Sequence, residues 1–137
     1  MVSKIDSTTT ALTYSHTVGL ATMIGRGFYF PVDLAITSDE KMLVLSRSLE
    51  IFAYGTRVTV CNSDSEYFGT FGNPGTENGQ FMWPSGIALD SEDNVYVADD
   101  HLHRVVVFDR DGEPLKTWGI KGSGQGELYG CLLYTSP

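Results

Sequence analysis

Short apolar runs separated by clusters of turn residues dominate the chain from residue 83 to residue 119. Residues 85–90 (SGIALD) are closed by Ser91-Glu92-Asp93-Asn94, and residues 95–99 (VYVAD) by residues 100–103. Residues 104–109 (RVVVFD) end in Arg110-Asp111-Gly112, and residues 115–119 (LKTWG) close the series. β-Branched and aromatic residues fill the runs, while Asp, Asn, Ser and Gly fill the gaps. Such residues suit a pleated surface and tight turns respectively, so the pattern predicts an antiparallel meander.

A second copy lies upstream. Phe30-Pro31-Val32-Asp33-Leu34-Ala35-Ile36 aligns with Trp83-Pro84-Ser85-Gly86-Ile87-Ala88-Leu89. Residues 42–46 (MLVLS) fall on 95–99, 57–61 (RVTVC) on 104–108, and 67–72 (YFGTFG) on 114–119. A repeat of about fifty residues fits one four-stranded blade of a propeller. The links at 73–80 (NPGTENGQ) and 120–127 (IKGSGQGE) are equivalent and glycine-rich, as a tight return needs positive φ. Upstream, residues 12–18 read as one further strand.

The second copy resembles an NHL repeat. The resemblance rests on Pro84, Gly86, Ile87, Ala88 and Asp90, then Asn94-Val95-Tyr96-Val97-Ala98-Asp99, then His103-Arg104, Val107 and Phe108. Leu102 replaces the Asn of the family's Asn-His pair. The resemblance implies an all-β fold: a β-propeller fragment of two four-stranded antiparallel blades plus an N-terminal strand. The expected parts are a disordered 1–11, the strand and link at 12–27, blades at 28–81 and 82–128, and a tail at 129–137. By family analogy the 12–18 strand completes the last blade of a closed, six-bladed ring. After Leu128 the repeat stops, and the ending CLLYTSP reads as foreign to it, so a truncated chain is expected.

The runs VYVA, RVVVF and MLVL are continuously apolar, as strands buried on both faces require. A blade of five-residue strands projects about 320 Å². Leaving one such face bare forgoes about 8 kcal/mol, comparable to the stability of a small domain. Two blades alone leave two bare faces. Remaining blades of the same chain, or self-association, are therefore expected to cover them.

Composition narrows the partners. Hydrophobic residues make up 42% and charged residues 19%, which places the chain among globular proteins. The net charge of −8 and the scatter of the nine Lys and Arg disfavour nucleic acid and anionic membranes. Cys61 and Cys131 are too few for a disulfide framework or a metal cluster, and Cys61 reads as a buried inert thiol. The polar start and the absence of a long apolar run predict a cytoplasmic protein with no membrane span.

Asp99, His103 and Arg104 invite a catalytic reading. In NHL-like blades this group is a polar brace, and a set repeated in every blade cannot mark one site. The first copy keeps only Arg57, with Ser46 and Thr56 at the other two positions. Departures from the repeat are better candidates for binding. Asp33 stands where the second copy has Gly86, near a central channel. Arg47 opens a rim loop whose longer insertion spans 49–56. Asp100 and His101 lie in the equivalent turn, where Asp99, Asp100 and His101 have metal-ligand residue types but suit an exposed turn better. His16 is the remaining histidine. Trp83, Trp118, Phe71 and Tyr96 read as blade packing. No nucleophile elbow, P-loop, HExxH or CxxC is present.

The expected function is a non-catalytic binding or scaffold module that takes a protein, glycan or small molecule on the propeller face and needs no cofactor. The alternative is part of a metal-dependent hydrolase or lyase resembling gluconolactonases or amidating lyases. There, Asp33 would join oxygen ligands from other blades around a divalent cation such as calcium.

Overall fold

The computed structural model describes residues 11–22, 26–48, 54–125 and 127–128. Among these there is no helix. The first sheet runs β1 (Pro31–Ile36), β2 (Met42–Ser46), β3 (Arg57–Cys61) and β4 (Tyr67–Phe71), each antiparallel to the next. A short parallel pair, β5 (Asn73–Pro74) and β6 (Gln80–Phe81), follows. The second sheet repeats the first as β7 (Pro84–Leu89), β8 (Val95–Asp99), β9 (Arg104–Phe108) and β10 (Pro114–Trp118). Both blades carry a bulge at the same place, between Pro31 and Asp33 and between Pro84 and Gly86. Asp33 and Gly86 are therefore equivalent in register as well as in sequence.

One turn design is used four times. Residue 37, 62, 90 or 109 donates its amide to the carbonyl four residues on. The side-chain oxygens of Thr37, Asn62, Asp90 and Asp109 accept an amide from that same residue. The fourth turn position is left-handed, with φ of 65° at Glu40, 65° at Ser65, 62° at Asp93 and 86° at Gly112. Short polar side chains that mimic a backbone acceptor explain why Asn, Asp and Thr open these turns.

The blades pack face to face. Leu43, Leu45 and Val58 of the first meet Ile87, Val95, Val97, Val106 and Phe108 of the second. Phe81, from the link, is fully buried in the same core, its ring centroid 5.6 Å from that of Phe108. Burying such a ring contributes about 2–3 kcal/mol. Each link repeats this plug. Phe28, Phe81 and Leu128 accept amide hydrogens from Thr22, Gly75 and Gly122 at 2.8, 2.9 and 2.9 Å. A Cβ on Gly72, whose φ is +77°, would run into the Phe81 ring, so only glycine lets the plug seat.

Two expectations change. The predicted strand at 12–18 forms no ladder, because an extended segment becomes a strand only where it finds an unpaired edge to bond. The adjoining segment instead crosses the outward face of blade 1. There Val18, Gly19, Leu20 and Phe28 line a small cavity with Thr59, Cys61 and Tyr67. His16 adds a ring-nitrogen bond to the Ser63 carbonyl at 2.6 Å. Nor are the outward faces wholly bare. Val44, Thr59 and Cys61 are buried on the first, and Leu128 packs on Ala98, Val105 and Val107 of the second. Residues 1–10, the 129–137 tail with Cys131, and residues 49–53 of the rim insertion lie outside the described residues.

Candidate functional site

The antiparallel meander puts the 37–41, 62–66, 90–94 and 109–113 turns at one end of the blades. The β2–β3 and β8–β9 connections and the links lie at the other. Three of the four candidate binding residues lie at this second end. The Arg47 guanidinium sits 4.3 Å from the centroid of the Trp83 ring. Asp100 donates its amide to the Trp83 carbonyl at 3.0 Å, and His101, exposed, follows it. Trp83 therefore links the two blades on this rim as a half-buried platform under a cation. The stack is a cation–π contact of about 0.5–2 kcal/mol. Reading Trp83 as blade packing alone missed this, since Arg47 is 36 residues away and nothing local links them.

Asp33 is not in that group. It lies between the inner strands, where one carboxylate oxygen accepts the Ile87 amide at 3.0 Å and the other its neighbour's, Leu34, at 2.9 Å. Both oxygens face backbone donors within one blade contact. That geometry suits a cross-blade tether better than a cation ligand, which needs several convergent oxygens. Among the described residues no three His, Cys, Asp or Glu are placed to hold a metal.

Asp99 and the two arginines hold the backbone. Asp99, fully buried, accepts amides from Met82 at 2.6 Å, Trp83 at 3.3 Å, His101 at 3.0 Å and Leu102 at 2.9 Å. It ties the start of the inner strand to the β8–β9 turn. Arg104 points at the preceding link and donates to the carbonyls of Thr76, Glu77 and Gln80 at 2.8, 3.0 and 3.0 Å. Arg57 does the same one blade earlier, donating to Thr22 and Gly27 at 3.2 Å each. Burial pushes its guanidinium down from its ordinary value, with the Tyr67 phenol acting the other way. His103 occupies the turn with φ of 51°. In blade 1 the Asp99 position holds Ser46, whose hydroxyl is buried without a partner, and the Thr56 hydroxyl takes over by accepting the Ser48 amide at 3.0 Å.

A further residue was not singled out from the sequence. Asp93, 6% exposed, accepts the backbone amide of Ser38 at 3.1 Å and also its hydroxyl. It joins corresponding turns of neighbouring blades, and Arg110 lies 3.9 Å away. The one signal available was an Asp at a left-handed position where Gly is easier, and this does not name its partner.

No helix among the described residues is long and apolar enough to cross a membrane. The NHL repeat family matches residues 81–108, from the Phe81 plug through β9. RING finger protein nhl-1 of Caenorhabditis elegans is 41% identical over 58 residues, covering 42% of this chain and 6% of that protein. Protein brain tumor of Drosophila melanogaster is 30% identical over 92 residues, 66% of this chain and 9% of that protein. B-box type zinc finger protein ncl-1 of Caenorhabditis elegans is 44% identical over 46 residues, 34% of this chain and 5% of its own length. The chain thus spans less than a tenth of each relative. With matched blades and a plug in each link around it, the chain carries an NHL repeat at residues 81–108 and is similar to NHL-repeat proteins.

Proposed function

We propose that the chain is a non-catalytic binding module of a cytoplasmic protein, part of a six-bladed scaffold that holds a protein partner on its rim. One observation carries this reading. The buried Asp99 and Arg57 and the half-buried Arg104 are engaged with backbone amides and carbonyls, and Asp33 joins the blades. What remains presented is the Arg47–Trp83 stack with Asp100 and His101 beside it. Aromatic rings and arginine supply contact area and directed hydrogen bonds on such rims. The small matched share of each relative fits a module within larger chains, two of which are named for RING finger or B-box zinc finger modules.

A displayed peptide library selected on the chain tests the reading. Selected segments should lose at least tenfold in affinity on Arg47→Ala or His101→Ala, with the urea midpoint unchanged in His101→Ala and stability lowered in Arg47→Ala by no more than the stack itself, about 0.5–2 kcal/mol. Turnover of lactone or α-hydroxyglycine substrates with calcium or zinc, lost on Asp33→Asn, would overturn it.

A further inference from the structure

The arginines of the two blades differ in what their guanidinium donors meet. Arg57 and Arg104 give theirs to carbonyls of the links, and Arg110 faces Asp93. Arg47 is half-buried, yet no hydrogen bond or ion pair among the described residues engages its side chain. Its one contact of note is the Trp83 ring, 4.3 Å away at the centroid. Arg47 follows β2 of the first blade and Trp83 precedes β7 of the second, so the stack is complete within this one junction. A guanidinium carried on a ring presents an oriented planar fork. A carboxylate matches that fork with two parallel charge-assisted bonds.

Charge and spent amides narrow the acceptor. The four turns at the opposite end hold ten of the chain's 17 acidic residues and two of its nine Lys and Arg. That imbalance equals the whole net charge of −8, so the remainder of the chain, rim included, is neutral and does not repel a single carboxylate. A phosphate chain is a poorer match. Arg47 and Asp100 stand at equivalent places, donating their amides to the Phe30 and Trp83 carbonyls at 3.2 and 3.0 Å. A polyanion following the rim would therefore meet a carboxylate one blade on. A chain-terminal carboxylate is also a poorer match, because clustered backbone amides capture such groups. Here the amides of Met82, Trp83, His101 and Leu102 are taken by Asp99, and that of Asp100 by the Trp83 carbonyl.

We propose that Arg47, carried on Trp83, receives the side-chain carboxylate of an aspartate or glutamate within a segment of the partner protein. The inference rests on the binding-module reading of the rim and supplies the chemistry of its partner. The ring orients the fork, and the carboxylate takes donors that the fold leaves unused.

The probes are three displayed peptide libraries with glutamate, glutamine or lysine fixed at the centre, selected on the full chain and remade as end-capped peptides for fluorescence anisotropy. Glutamate segments should bind at least tenfold more tightly than the same segments carrying glutamine. Arg47→Glu should abolish that preference and favour the lysine versions by at least tenfold, which also shows that the variant is folded. Arg47→Lys keeps the charge without the fork and should retain less than a third of the affinity. Equal binding of glutamate and glutamine versions, still lost on His101→Ala, would overturn the carboxylate contact and leave the rim reading standing. Tighter, Arg47-dependent binding of an oligouridylate would overturn it by assigning the cation to phosphate. Failure of all three libraries to yield a binder would overturn both readings together.

Discussion

The Asp33 carboxylate of the first blade accepts the amide hydrogen of Ile87 in the second at 3.0 Å. The two inner strands are thereby joined across the blade contact. Blade 2 has Gly86 at the equivalent position and so offers no such side chain.

Removing that acceptor should be felt as a loss of blade docking. Asp33→Ala leaves the Ile87 amide without its partner and should cost about 1–3 kcal/mol in urea denaturation followed by tryptophan fluorescence. Asp33→Asn keeps an acceptor oxygen and should cost less than half as much. Equal losses in both variants would show that charge, not the hydrogen bond, holds the contact.

Arg104 clamps three carbonyls of the link with one planar fork. Arg104→Ala should cost about 2–3 kcal/mol, and Arg104→Lys should recover little, since an ammonium cannot span three diverging acceptors. Hydrogen exchange at the amides of Gly75 and Gln80, which bond within the link, should accelerate in both variants. Unchanged exchange there would detach Arg104 from the link.

Much of this architecture was legible in the sequence because it is local. Period, turn chemistry and continuous apolar runs located every strand of both blades, and the equivalence of Asp33 with Gly86 held through the bulge. What could not be read is long-range. Arg47 meets Trp83, and Asp93 meets Ser38, across separations that turn propensity does not see. The segment at 12–18 had strand composition, but a ladder depends on an available edge. The function of Asp99 as a backbone holder follows only from its four amide partners, which the residue type alone does not select.

Cys61 lies beneath the segment that crosses blade 1, 5% exposed, and burial pushes its thiol up. In a Cys131→Ser background, an aryl disulfide reagent at pH 8 should label the folded chain at least a hundredfold more slowly than the denatured chain. Phe28→Ala, which removes a ring lining the same cavity, should raise the labelling rate at least tenfold. No change would mean that the segment is not what covers the thiol.

Acid should loosen the β7–β8 turn. The Asn94 side chain above all, with the backbone amides of Asn94 and Glu92 and the Tyr96 hydroxyl, holds the Asp90 carboxyl below its ordinary range, against an opposing effect of burial second only to the Asn94 side chain. A carboxylate lowered in the fold contributes fully above its unfolded value. That contribution fades as pH falls through the aspartate range, below about pH 4, and is gone beneath the lowered folded value. Asp90→Asn should flatten the decline in melting temperature between pH 5 and about pH 2.5. A slope identical to that of the parent chain would assign the acid sensitivity elsewhere.

Asp99 and Ser46 occupy the same position in successive blades, and truncating them should have opposite consequences. Asp99→Ala strands four amides that are buried or half-buried at the start of β7 and in the β8–β9 turn. It should cost about 3–5 kcal/mol, if the second blade folds at all. Ser46→Ala removes a buried hydroxyl that has no partner, so its burial cost is relieved. Stability should stay level or rise by up to about 1 kcal/mol. The two variants alter the same position in successive blades, so their urea midpoints are compared directly. A loss above about 1 kcal/mol in Ser46→Ala would mean that the hydroxyl has found an acceptor, and that blade 1 keeps a weaker version of the same brace.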